Sequence, residues 1–278
     1  MKKIAIILIT LLLFGCSSVQ TYDVDTSTYV AKNKDSRIKF IVLHYTALND
    51  EKSLRVLTRD NVSVHYVVTT KDDDPIFSLV PDNERAWHAG KSSFDGRTNI
   101  NDSSIGIEIV NFGYNTNLPF TPIEDNKMNF RPKDYYYEFT DAQIRKVAFL
   151  VTYLKEQYKV NDKYIVAHSD IAPQRKQDPG PYFPWKELYF KYGLGHWYDE
   201  SDKRDIMSKN RFCTLSPLDI KKEFKKYGYD INDTDIWDDE SRKVIYAFQL
   251  RFRPEKANGD IDSETYAIIK ALNKKYSN

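Results

Sequence analysis

Five histidines occur in the 278 residues: His44, His65, His88, His168 and His196. Two of them sit where chemistry is easily arranged. His44 ends the apolar run Phe40-Ile41-Val42-Leu43, and His168 ends Ile165-Val166-Ala167. Ten residues after His168 comes Asp178, in a segment closed by Asp178-Pro179-Gly180-Pro181. Two prolines around a glycine make a rigid loop, which suits a group whose geometry must be held tightly. Two imidazoles, one carboxylate and an open position for water form the donor set of a catalytic zinc site. A histidine at a strand end is more often a satisfied structural residue than a ligand, so spacing alone leaves both readings open.

The elements that would carry these residues are legible in the apolar pattern. Residues 37–43 begin by alternating and become wholly apolar, as a buried strand does. Further strands are expected at 63–68, 76–80, 104–110 and 164–167. Alternation in the fourth puts Glu108 on the face opposite Ile107 and Ile109. Thr140-Asp141-Ala142-Gln143 reads as a capping box, followed at helical spacing by Ile144, Val147, Ala148, Val151 and Leu154. Shorter helices are expected at 53–59 and 185–192. Strands and helices mixed in this way imply an α/β domain, a central mixed sheet flanked by helices. After Gly193, Gly195 and a charged stretch, the segment 193–214 reads as a connector. Ser216-Pro217 then starts a helix, 239–252 forms a second and Asp262 caps a third, so 215–278 reads as a small three-helix bundle.

Composition bounds the function classes. With 41% hydrophobic and 29% charged residues the chain can bury a real core, and a net charge of +1 gives no basis for nucleic-acid binding. Lys2 and Lys3 precede an apolar run from Ile4 to Phe14, too short to span a bilayer and of the length of a signal-peptide core. It ends in Leu13-Phe14-Gly15-Cys16, which resembles a bacterial lipobox. Residues 1–16 are thus expected to be a lipoprotein signal with Cys16 as the lipidated residue, and the polar 17–36 a flexible tether. Ser17 after Cys16 implies, by resemblance to Gram-negative lipoproteins, the outer membrane, with the domain facing the periplasm. Cys213 then has no partner and is expected to be a semi-buried free thiol.

Residues 168–185 resemble the second metal-binding segment of zinc N-acetylmuramoyl-L-alanine amidases of the amidase-2 family, relatives in fold of peptidoglycan recognition proteins. Four more segments match in the family's order: Val42-Leu43-His44-Tyr45-Thr46-Ala47, Ser63-Val64-His65-Tyr66, Ala86-Trp87-His88-Ala89-Gly90 and Asn101-Asp102-Ser103-Ser104-Ile105-Gly106-Ile107-Glu108. The resemblance covers about residues 37–190, within a catalytic domain expected at 37–192, and is closest to the family's lipoprotein branch. It implies one catalytic Zn2+ on His44, His168 and Asp178, Glu108 as the proton-transferring carboxylate, and Lys176 as the cation that stabilises the oxyanion. It also implies hydrolysis of the amide between N-acetylmuramic acid, intact or anhydro, and L-alanine in peptidoglycan and muropeptides. His65, Trp87 and His88 border the groove in such proteins and become candidate substrate contacts, although Trp87 reads more readily as core and His196 as surface. Phe248-Gln249-Leu250-Arg251-Phe252 with Asn258-Gly259-Asp260 resembles the peptidoglycan-binding three-helix module. A monomer is expected. Two alternatives remain open here: a non-catalytic peptidoglycan receptor on the same fold, and a zinc endopeptidase of the stem peptide. The long 113–139 segment would be a substrate lid, a surface loop or padding.

Overall fold

In a computed structural model that describes residues 22–118, 130–209 and 212–276, the first apolar run becomes β1 (Phe40–Tyr45), of which Phe40, Ile41, Val42 and Leu43 are buried. Asn49 caps α1 (Asp50–Arg59) by accepting from the Lys52 amide. Then come β2 (Tyr66–Val68), β3 (Phe77–Ser78) and the small hairpin of β4 (Ser93–Phe94) and β5 (Arg97–Thr98). The central strand β6 (Ser104–Ile109) follows. The expected strand at 63–68 is regular only from Tyr66, because the Ser63 amide bonds to the Trp87 carbonyl instead of a sheet neighbour.

The capping box forms as read: the Thr140 hydroxyl accepts from the Gln143 amide and the Gln143 side chain accepts from the Thr140 amide. It starts α2 (Asp141–Tyr158), whose stripe Ile144, Val147, Ala148, Val151 and Leu154 is buried. After it, β7 (Ile165–Ala167) runs into the single turn α3 (His168–Ile171). The larger sheet has the order β3-β2-β6-β1-β7; β2, β6, β1 and β7 are parallel, and β3 is antiparallel to β2. This is a mixed sheet flanked by helices, as the strand and helix pattern predicts.

Among the described residues five α-helices follow: α4 (Trp185–Tyr192), α5 (Glu200–Ser208), α6 (Pro217–Tyr227), α7 (Asp239–Phe252) and α8 (Ser263–Tyr276). The connector reading of 193–214 needs correction, because α5 is a helix within it and packs on α8. His196 is buried rather than on the surface: its ring stacks on Tyr276 at 3.5 Å between centroids. Cys213 is exposed rather than semi-buried.

Residues 36–278 form one body. A single apolar cluster runs from β1 through Phe94, Tyr227 and Tyr229 to Ile268 and Leu272, so the C-terminal helices share the core of the sheet domain. Residues 22–35 are exposed. The signal segment 1–16 with Cys16, and the start of the tether, lie outside the described residues.

Candidate metal centre and substrate groove

Parallel pairing decides where the reactive side chains emerge. His44 on β1 pairs in register with Glu108 on β6, and Leu43 pairs with Ala167, the residue before His168. Side chains in register in parallel strands point to one face. Three neighbouring strands thus deliver Glu108, His44 and His168 at their carboxyl ends, the side of such sheets where ligands bind. Asp178 is brought back to them because its carbonyl accepts the Ser169 amide at 3.0 Å.

His44 Nδ1 lies 2.9 Å from His168 Nδ1 and 3.1 Å from Asp178 Oδ2, and His168 Nδ1 lies 2.9 Å from that same oxygen. All three residues are buried. Metal–ligand bonds of about 2.0–2.1 Å at tetrahedral angles place donor atoms roughly 3.3 Å apart, so the cluster is close to the size of a zinc site.

The outer hydrogen bonds test whether a cation fits. His168 Nε2 faces the Ala89 carbonyl at 3.1 Å, which can only accept, so this nitrogen carries the proton and Nδ1 presents a lone pair. His44 Nε2 lies 3.0 Å from His88 Nδ1, and His88 Nε2 lies 3.0 Å from Ser104 Oγ. A cation on His44 Nδ1 selects the state in which His44 donates to His88 and His88 donates to Ser104. Two lone pairs and a carboxylate then converge on one point, an arrangement that a divalent ion satisfies. Among the described residues this is the one such group.

Charges are tuned accordingly. Burial and the neighbouring His168 lower His44 to about 4, so it stays neutral at ordinary pH, as a ligand must. His88 is held well below the usual histidine range by burial and by His44. Burial pushes the Asp178 carboxyl up, but the His168 and His44 imidazoles outweigh it and hold the group well below the carboxylate range. Glu108 is pushed up to about 8 by burial and by Asp178, with Lys176 drawing it down. Its Oε2 is enclosed and has no hydrogen-bond partner among the described residues.

The centre lies in a groove of about 630 Å3 whose lining includes Glu108, Lys176, Trp87, His88, Lys243 and Tyr246. Trp87 is 61% exposed, so the core reading is wrong; the Arg85 guanidinium sits over its ring at 4.3 Å. His65 does not reach the groove: it is wholly buried, its Nδ1 accepts the Gly106 amide and its Nε2 bonds to the Glu84 carbonyl. A substrate contact is closed to it, because both nitrogens are committed to backbone.

The sequence makes His88 a candidate substrate contact, and the structure also places it behind His44. Space for its ring comes from Gly106, where a Cβ would fall 2.5 Å from His88 Cγ. Asn101 Oδ1 fixes the segment by accepting the His88 and Ala89 amides at 3.3 and 2.8 Å. Ser104 was missed, although the motif Asn101 to Glu108 contains it. The 113–139 segment is not padding. Tyr114, Phe130 and Arg131 line the groove, Phe130 stacks on Tyr246 at 4.3 Å, and 119–129 lie outside the described residues.

Comparison with known proteins agrees with this geometry. Residues 34–181 match the family described as N-acetylmuramoyl-L-alanine amidase, and 217–269 match a peptidoglycan binding domain family. The chain is 38% identical to N-acetylmuramoyl-L-alanine amidase AmiD of Escherichia coli over 96% of its own length and 95% of that protein. The crystal structure of AmpDh3 from Pseudomonas aeruginosa superposes with a TM-score of 0.80 at 37% identity, covering 92% of this chain and 99% of that one. E. coli AmiD in complex with the substrate anhydro-N-acetylmuramic acid-L-Ala-D-γ-Glu-L-Lys gives a TM-score of 0.79 at 37% identity, covering 92% and 95%.

Proposed function

Because the chain belongs to the N-acetylmuramoyl-L-alanine amidase family, we propose that it hydrolyses the amide between the lactyl group of N-acetylmuramic acid, intact or anhydro, and L-alanine, using one zinc ion held by His44, His168 and Asp178. The observation that carries the zinc reading is the convergence of His44 Nδ1, His168 Nδ1 and Asp178 Oδ2 within 3.1 Å of one another.

A bound zinc ion supplies Lewis acidity, polarising a carbonyl and making a water easier to deprotonate. The chain's own groups supply the rest. Glu108 stands on the strand beside His44 with a free, enclosed oxygen, and a carboxyl raised toward neutrality is suited both to take a proton from the attacking water and to give it to the leaving amine. Lys176, in the same lining, offers positive charge to the oxyanion. Exposed Trp87 offers the sugar an apolar face at the groove mouth. His88 acts from behind His44 and holds its orientation.

Wall binding by the C-terminal helices, lipidation at Cys16, outer-membrane attachment facing the periplasm and a monomeric state belong to the same proposal. Wall binding is supported by the family match of 217–269, and lipidation and outer-membrane attachment by the lipobox-like sequence with Ser17 after Cys16. Mass spectrometry of products from purified anhydromuropeptides tests the reaction. The expected products are anhydro-N-acetylmuramic acid and a peptide with a free L-alanine amine; a cut within the stem peptide would make the protein an endopeptidase.

A further inference from the structure

One wall of the groove comes from outside the amidase-matching segment. Lys243 and Tyr246 line it, and both lie on α7, within the part that matches the wall-binding family. Glu240, Lys243, Tyr246 and Arg251 are three, three and five residues apart, within one face of that helix. Three of the four are tied to the stretch 170–177, which lies between the candidate ligands His168 and Asp178. Gln174 Nε2 donates to the Glu240 backbone carbonyl at 3.0 Å. The Tyr136 hydroxyl lies between Gln177 Oε1, at 2.7 Å, and the Tyr246 hydroxyl, at 3.1 Å. Arg251 Nη1 donates to Asp170 Oδ2 at 2.7 Å.

Lys243 is the fourth. It is partly enclosed, lines the groove, and has no hydrogen-bond or ion-pair partner among the described residues. A partly enclosed ammonium with no carboxylate beside it gains from an anionic ligand. The Asp178 and Glu108 carboxylates of the same lining are committed to the centre.

We propose that α7 is a structural wall of the substrate groove and that Lys243 is a specificity-determining group that binds a carboxylate of the stem peptide. This rests on the amidase reading and deepens it. Next to L-alanine, a γ-linked D-glutamate leaves its α-carboxylate free; a diamino acid with a second carboxyl at the third position is the other source of the same chemistry. The C-terminal module then recognises the fragment being cut, in addition to any role in holding the wall.

The test compares the zinc-loaded full-length protein with Lys243→Ala and Lys243→Arg on anhydromuramoyl peptides. The second residue carries either a free α-carboxylate or a carboxamide, and the third is either lysine or diaminopimelate. Lys243→Ala should raise KM about tenfold on the peptides bearing the recognised carboxylate, leave kcat unchanged, and abolish the discrimination against its neutral counterpart. Lys243→Arg should retain the discrimination. Loss at the amidated second residue identifies the D-glutamate carboxylate as the anion; loss at the third identifies the diamino acid. An equal effect of Lys243→Ala on all peptides, or none, overturns the proposal. Binding of the same peptides to zinc-loaded Glu108→Gln, with and without Lys243→Ala, reads recognition without turnover. Failure of the amidase reading would show instead as absence of hydrolysis by the unaltered chain, with the carboxylate preference in binding intact.

Discussion

Arg251 Nη1, on α7, donates to Asp170 Oδ2 at 2.7 Å, and the two side chains are 2% and 1% exposed. Asp170 also accepts the Ala167 amide at 2.9 Å and the Tyr229 hydroxyl at 2.6 Å, while the Arg251 guanidinium lies 4.1 Å from the Trp185 ring centroid. Asp170, whose side chain caps the helical turn that begins at His168, is therefore anchored by Arg251 of the C-terminal helix α7 and by Tyr229.

Removing one partner of such a pair strands a buried charge. Arg251→Met should lower the unfolding free energy by about 3–5 kcal/mol. Urea unfolding should remain a single transition, because residues 36–278 share one core. A loss below about 1 kcal/mol, typical of exposed pairs, would mean that the contact does not brace the two regions.

Behind the metal centre, His88 and Ser104 continue the hydrogen bonds of His44 at 3.0 Å each. Outer partners of this kind typically change metal affinity about 10–100-fold. His88→Ala should therefore weaken zinc binding by that range in a chelator competition assay, with Ser104→Ala giving a smaller loss. Unchanged affinity in His88→Ala would show that His44 is oriented by packing alone.

Glu108 makes a prediction about pH. Its carboxyl stands at about 8 in the metal-free protein, above the usual value of 4.5. A group raised in the folded state contributes stability that is full below its unfolded pKa and is lost as pH rises through the folded one. From pH 7 to pH 9, the metal-free chain should thus lose about 1–1.5 kcal/mol more than Glu108→Gln does. His44, lowered to about 4, works the opposite way and loses its contribution as pH falls from 6.5 toward 4, so it barely enters this window. Urea unfolding at the two pH values in excess chelator measures the difference; parallel losses in both proteins would place the Glu108 carboxyl in its normal range. In the zinc-loaded form, Glu108→Gln should lower kcat by about 10²–10⁴ while keeping the metal.

Much of the sheet domain was legible because its signals are local. Apolar runs ending in His44 and His168 mark the strand ends, and Thr140 with Gln143 marks the start of α2. Burial of the remaining site residues is decided by distant partners that spacing does not reveal. Trp87 was read as core and stands exposed, while His65 was read as a contact and is sealed by Gly106 and Glu84. His196 follows Gly195 at the start of the segment that reads as a connector, yet Tyr276 from the last helix covers it. Lys243 carries no motif, and its place in the groove follows only from how α7 lies against residues 170–177.

The most direct test of the account is zinc stoichiometry and affinity in the full-length protein and in His44→Ala, His168→Ala and Asp178→Ala, measured alongside hydrolysis of an anhydromuropeptide. The account predicts one zinc per unaltered chain, and in each variant a collapse of zinc affinity together with loss of hydrolysis while the fold is retained. Stoichiometric zinc held tightly by all three variants, or full hydrolysis by the chelated, metal-free chain, would contradict it.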